Sequence, residues 1–222
     1  MGSFKKELIH KIEKSASIEK DEYGEYLRKV EEEDCADGLT VSIHTGTASV
    51  LYVAELARLW AAKQWYLSKY VNRDSFPIEA QDCFPNLFFH EHVKVSMDTL
   101  NADFNRERPY IVEHLQALDH FVEEFSRLRA EGHSFPQMCR AFEDFYQHRI
   151  ECSAQSSRDS ARKLDYSFVD DQKNSISLRC EMHTKLKWPD MDKQHQDRIY
   201  FHPGKPEIES GKVLIVHIGT HQ

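Results

Sequence analysis

The strongest constraint on what this chain can fold into is the run from Ser175 to Trp188, where polar and apolar side chains alternate almost without a break. Ile176, Leu178, Cys180, Met182, Leu186 and Trp188 share one parity, spoiled only by Thr184. Arg179, Glu181, His183, Lys185 and Lys187 share the other. A period of two residues is that of a half-buried β-strand. The segments DRIYFHPG and GKVLIVHIGTHQ read as neighbouring strands, with Pro203 and Gly211 bounding their connection. An antiparallel meander follows from these three runs, and its polar face carries cations and imidazoles instead of the usual Thr and Ser.

Upstream, the sequence predicts mostly helix. Phe4, Leu8, Ile9 and Ile12 begin an amphipathic run that resumes at Tyr23, and residues 49–71 read as one central helix, apolar on most sides. LFFHEHVKV, after Pro77 and Pro85, reads as a short strand. A helix is expected to start with Pro109 in its first turn, to repeat Ile111, Leu115, Leu118, Phe121, Phe125 and Leu128, and to close at Gly132. Ser134 and Gln137 have the spacing of a capping box for a further helix running through Cys152 toward Lys163, with 153–160 as surface or hinge. Tyr166–Val169 is a strand, followed by a turn over 170–174. The fold class is therefore α+β, a largely helical region followed by a small twisted antiparallel sheet. Residues 1–105 form a helical region without an assigned role. Residues 106–222 form an α+β domain, with a helical hairpin over 109–163 and a sheet over 165–219.

The net charge of −8 lies entirely upstream: residues 155–222 hold 11 Lys and Arg against 10 Asp and Glu. A protein that only coats duplex nucleic acid would be basic throughout, because neutralising phosphates dominates such binding. An acidic carrier with one specific site fits better, and the acidic region is a candidate cover for the basic face. No apolar run approaches the roughly 18 residues that a membrane span requires, and the charged N-terminus lacks an apolar leader, so a cytoplasmic protein is expected. Five cysteines without a CxxC pair read as reduced and mostly buried.

Extending the parity across the sheet gathers His183, Lys185, Arg198, Tyr200, His217 and His221 round one concavity. HTKL, RIYF and VLIVHIGTH, in that order, resemble the core of the RelE/ParE toxin superfamily. That family has a basic pair on one strand, an Arg opening the next, and a last hydrophobic strand ending in Gly-x-Arg. The resemblance implies a RelE-like ribonuclease. His183 and Lys185 match the basic pair, Arg198 matches the strand-opening Arg, and His221 stands where the family has Arg, making these four the implied catalytic residues. Arg179, Lys187, Tyr200, His202 and His217 would bind substrate. Such enzymes cut RNA without metal or cofactor. The 2′-hydroxyl attacks the adjacent phosphate while cations stabilise the developing charge, and an imidazole, which titrates near neutrality, moves a proton. The implied setting is a bacterial toxin–antitoxin or defence system. RNA, on or off the ribosome, is the implied ligand, and an antitoxin or other protein would bind through the helical region.

Two other readings stay open: a non-catalytic interaction protein on a degenerate toxin fold, and a metal-dependent nuclease of the PD-(D/E)xK type. The latter would use Asp170 or Asp171 with Glu181 and Lys185, but Glu and Lys are four apart where two is needed for shared contact with one Mg²⁺. His90 and His92 would share a strand face as metal ligands can, without an evident third. HTGTAS at His44 lacks the Lys and further glycines of a phosphate-binding loop, and Thr47 reads as a plain helix cap.

Overall fold

The computed structural model describes the backbone of residues 41–45, 49–53, 56–155, 164–187 and 196–222, with side chains from residue 63 onward. The architecture is α+β, with helices preceding a mixed five-stranded sheet. Among the described residues, no helix is long and apolar enough to cross a membrane. The chain divides into two compact units, Met1–Cys83 and Phe84–Gln222.

In the first unit, β1 (Val41–Thr45) and β2 (Ser49–Val53) pair antiparallel, Val41 opposite Val53 and Thr45 opposite Ser49. They precede helices α1 (Leu56–Lys69) and α2 (Phe76–Cys83). The helix expected over 49–71 therefore begins only at Leu56. SVLYV is rich in the β-branched and aromatic residues that favour strands, and a partner strand supplies its hydrogen bonds. Pro77 lies in the first turn of α2, where its missing N–H costs nothing, and not in a connection. Lys63 Nζ donates to the Asp82 carbonyl at 2.8 Å, tying the two helices together. The amphipathic runs from Phe4 and Tyr23, the cap at Thr47 and Cys35 lie outside the described residues.

The second unit begins about twenty residues before the boundary read from sequence, because Leu87–Phe89 (β3) is an edge strand of its main sheet. After α3 (His92–Ser96) and a 3₁₀ turn at Met97–Thr99 come α4 (Phe104–His120), α5 (Val122–Ala130) and α6 (Phe135–Phe145). The strands that follow are β4 (Cys152–Ala154), β5 (Asp165–Val169), β6 (Ser175–Arg179), β7 (Met182–Lys185), β8 (Arg198–His202) and β9 (Val213–Gly219). The main sheet has the order β3-β9-β8-β7-β4. β3 runs parallel to β9, the other pairs are antiparallel, and β5 and β6 form a separate hairpin.

Helix boundaries follow local chemistry. Asp103 caps α4 by accepting from the Asn105 amide at 2.9 Å, which moves the start upstream and leaves Pro109 inside the helix. Phe121 leaves helical geometry and splits the single helix expected to run to Gly132. That end does close as the sequence predicts. Gly132 has a positive φ of 80°, His133 N–H donates to the Leu128 carbonyl and Gly132 N–H to that of Arg129. The Ser134–Gln137 capping box opens α6. The helix stops at Phe145, well short of Lys163, where Gln147 and His148 both take positive φ and turn the chain. Cys152 consequently belongs to a strand, and 156–163 lie outside the described residues.

The alternating run divides at Cys180 and Glu181. Its first half, β6, pairs with β5, while its second, β7, enters the main sheet between β4 and β8. One face of that sheet packs on helices, with Phe201 against Phe125 and the latter stacked on Phe142. Thr184, which interrupts the apolar set, lies 2.9 Å from His114 Nδ1 on α4, so a buried hydroxyl and a buried imidazole satisfy one another. The β5–β6 hairpin contributes to the other face. Phe168, Tyr166, Ile176 and Leu178 pack with Tyr200, Leu214, Val216 and Phe88.

Candidate functional site

Register places the sequence-predicted residues on two alternate rungs, separated by the rung of Thr184, Ile199 and Ile218. His183 is opposite Tyr200, which is opposite His217; Lys185 is opposite Arg198, which is opposite Gly219. The rings of the first rung lie 4.8 Å and 5.5 Å apart, centroid to centroid. Tyr200 pairs with His217 while Phe201 pairs with Ile215, leaving Val216 as the extra residue of a β-bulge. Unbroken alternation would put Leu214 and Val216 on the face opposite His217; the bulge changes parity, and both pack beside Tyr200.

Hydrogen bonds fix both imidazoles. His183 Nδ1 is 3.3 Å from the Glu181 carbonyl, which makes it the donor and leaves Nε2 to accept from Ser153 Oγ at 3.0 Å. His217 Nε2 donates to the Thr220 carbonyl at 2.8 Å, and its buried Nδ1 has no hydrogen-bond partner among the described residues. Burial, aided by the charge of Arg198, pushes the His183 pKa down to about 4. Burial also lowers that of His217 to about 4, with His92 adding to the effect. Both are neutral at pH 7 and nearly inaccessible, at 3% and 0% exposure.

The cations divide into two classes. Glu151 holds Lys185, Nζ to Oε2 3.5 Å, and also contacts Lys187 Nζ. Its carboxyl is lowered below its ordinary pKa by the Lys187 hydrogen bond and by both lysine charges. Arg198 is different. Its Nη1 donates to the Tyr200 hydroxyl at 3.2 Å, its Nε is buried without a hydrogen-bond partner, and no carboxylate pairs with it among the described residues. The Gln222 amide also donates to Tyr200, at 3.2 Å, so the phenol oxygen receives two donors while its own proton stays available. A partly buried guanidinium with no carboxylate among the described residues is suited to take up an anion.

The structure does not bring the remaining candidates to these rungs. Arg179 forms a two-point contact with Asp165 at 2.9 and 3.1 Å within the β5–β6 hairpin. His202, beyond the bulge, packs edge-on to Phe135 at 5.6 Å, and burial, with Arg129 and Lys205 nearby, lowers its pKa to about 4. His221 is exposed past the end of β9. His90 and His92 do not share a strand face, because β3 ends at Phe89 and His92 opens α3. Instead, His92 N–H donates to His90 Nδ1, and the His92 ring stacks 5.9 Å from His217. Asp170 accepts from the Gln172 and Asn174 amides and so serves its own turn. Among the described residues, no group of three His, Cys, Asp or Glu is placed to hold a metal ion.

Sequence reasoning misses Glu151 and Ser153 as site residues, because it carries the helix that starts at Ser134 through Cys152 and treats 153–160 as surface or hinge. The alternation of residues 150–154, with apolar Ile150, Cys152 and Ala154 against polar Glu151 and Ser153, carries the signal. Gly219 is fixed by close approach: a Cβ there would overlap Thr99 Oγ1 and lie 2.5 Å from the Ser96 carbonyl oxygen. Ser96 and Thr99 tie the end of β9 down by accepting from the Ile218 and Thr220 amides. Comparison with protein families, with curated proteins and with solved structures finds no match to this chain.

Proposed function

We propose that Phe84–Gln222 binds RNA and cleaves it without a metal ion, on a RelE-like plan, with Arg198 as the phosphate clamp. The observation that carries this reading is the state of Arg198. It is partly buried, has no carboxylate among the described residues, and is held by Tyr200 beside Lys185 on one rung. A phosphodiester supplies the oxygens that the guanidinium lacks. In the reaction, the ribose 2′-hydroxyl would lose its proton and attack phosphorus. The 5′-oxygen would depart with a proton, and a 2′,3′-cyclic phosphate would remain. Arg198, with Lys185 next to it, would stabilise charge on the non-bridging oxygens. The helices ahead of the strands and the shared rung of Lys185 and Arg198 accord with the resemblance. A toxin–antitoxin or defence role goes with it.

A specific observation favours a second reading, RNA binding without cleavage: His183 and His217 are buried and neutral, and buried imidazoles make poor proton carriers for a substrate outside. The test is incubation of the full chain with end-labelled RNA in EDTA, comparing it with Arg198→Ala. Cyclic phosphate ends that appear in EDTA and vanish in the variant support the ribonuclease. Arg198-dependent binding without cleavage supports the second reading. Cleavage that EDTA abolishes overturns both and restores the metal-dependent alternative.

A further inference from the structure

Glu151 stands immediately before β4, and its main-chain carbonyl accepts from the Lys185 amide at 3.1 Å. That bond fixes the backbone on both sides, so the Glu151 carboxylate is delivered to the lysines by the sheet itself and not by chance meeting on the surface. It engages Lys185 at 3.5 Å and Lys187 through its other oxygen. A carboxylate with one oxygen on each of two ammonium groups imitates two oxygens of a phosphate. Neighbouring strands are about 4.8 Å apart and alternate residues of one strand about 6.6 Å apart. Lys185 and Lys187 therefore lie within one or two nucleotide steps of Arg198. Since Arg198 sits on the Lys185 rung and Glu151 on its far side, one end of the row has no carboxylate among the described residues and the other is already filled.

Building on the RNA-binding reading, we infer that Glu151 is an internal competitor for RNA. It occupies the second phosphate position, at Lys185 and Lys187, and limits the protein to strands able to displace it. The ligand class is single-stranded RNA with at least two consecutive phosphates, the first on Arg198 and the next exchanging with the Glu151 carboxylate. Glu151 thus sets affinity and salt sensitivity without contacting the RNA.

The inference predicts the effect of Glu151→Gln, which keeps shape and removes charge. In the full chain, fluorescence anisotropy with a labelled single-stranded RNA should show binding about tenfold tighter at low salt. The salt dependence should steepen by about 0.7 to 1.4 in logarithmic slope, since one or two lysines become free to meet phosphates. Adding Lys185→Ala and Lys187→Ala to Glu151→Gln should cancel the gain. If Glu151→Gln binds no more tightly than the parent while Arg198→Ala still abolishes binding, the competitor role is wrong and the phosphate clamp stands. If Glu151→Gln gains affinity but Arg198→Ala changes nothing, the clamp is wrong and the competitor stands. Absence of binding by the parent and by every variant overturns both. Equal thermal midpoints for the parent and Glu151→Gln show that a failure to gain affinity is not a folding defect.

Discussion

Arg198 and Lys185 face one another across the β7–β8 rung, yet Glu151 neutralises the lysine and leaves the arginine without a counter-ion among the described residues. Partial burial of an unpaired charge costs stability, so the arginine is an expense the fold itself does not require. Arg198→Met should keep or raise stability by up to about 1 kcal/mol in urea denaturation while weakening RNA binding at least tenfold. Destabilisation by more than about 2 kcal/mol would mark Arg198 as structural instead.

Stability should peak near neutral pH. His114, His183, His202 and His217 have pKa values lowered to about 3, 4, 4 and 4 in the fold, against an ordinary value of 6.5. Between these values the unfolded chain binds more protons than the folded one. Their contribution is therefore complete above about pH 6.5 and is lost as pH falls toward 4, each fully shifted group withdrawing about 1.4 kcal/mol per pH unit. Glu107 has the opposite sign. Burial, followed by the Asp197 charge, raises it to about 9, so the folded state keeps a proton that the unfolded chain releases above about 4.5. Stability falls as pH rises through that window. Urea titrations from pH 5 to 9 should show both limbs, with Glu107→Gln flattening the alkaline limb and steepening the acid one, where the carboxyl opposes the histidines.

Thr184→Val should cost about 1 to 3 kcal/mol, because it leaves the buried His114 Nδ1 without its partner at 2.9 Å. Thr184→Ser, which retains the hydroxyl, should cost clearly less. Equal losses in denaturant midpoint for the two variants would show that packing of the methyl group, and not the hydrogen bond, matters there.

Gly219→Ala should destabilise by about 2 kcal/mol or more, since the added carbon meets Thr99 Oγ1 and the Ser96 carbonyl. The same change would lift Thr220 from Thr99 and disturb the His217–Thr220 bond. Faster hydrogen exchange at the Ile218 and Thr220 amides would report this directly; unchanged protection would refute it.

Strands β7, β8 and β9 were legible because alternation survives in sequence, and so was the shared face of His183, Lys185, Arg198 and Tyr200. What sequence could not convey was the sheet exchange at Cys180 and Glu181, since one unbroken alternation serves two sheets. Nor could parity alone foresee the bulge at Val216, which needs the partner strand to reveal it. SVLYV and IECSA were lost to helix because each borders a helical segment, and only long-range pairing separates them from it. The ion pairs of Arg179, Lys185 and Lys187 with Asp165 and Glu151 join residues 14 to 36 positions apart and leave no local trace.

The exchange of the chain between two sheets also divides its tolerance to replacement. In β6, Ser175, Ser177 and Arg179 point to solvent, and every second position can vary. In β7, Met182, His183 and Thr184 are all buried, the last two each tied to a named partner. A saturation library across 175–184 should therefore change character at residue 180. Before it, the tolerated substitutions should alternate; after it, the chain should accept almost none.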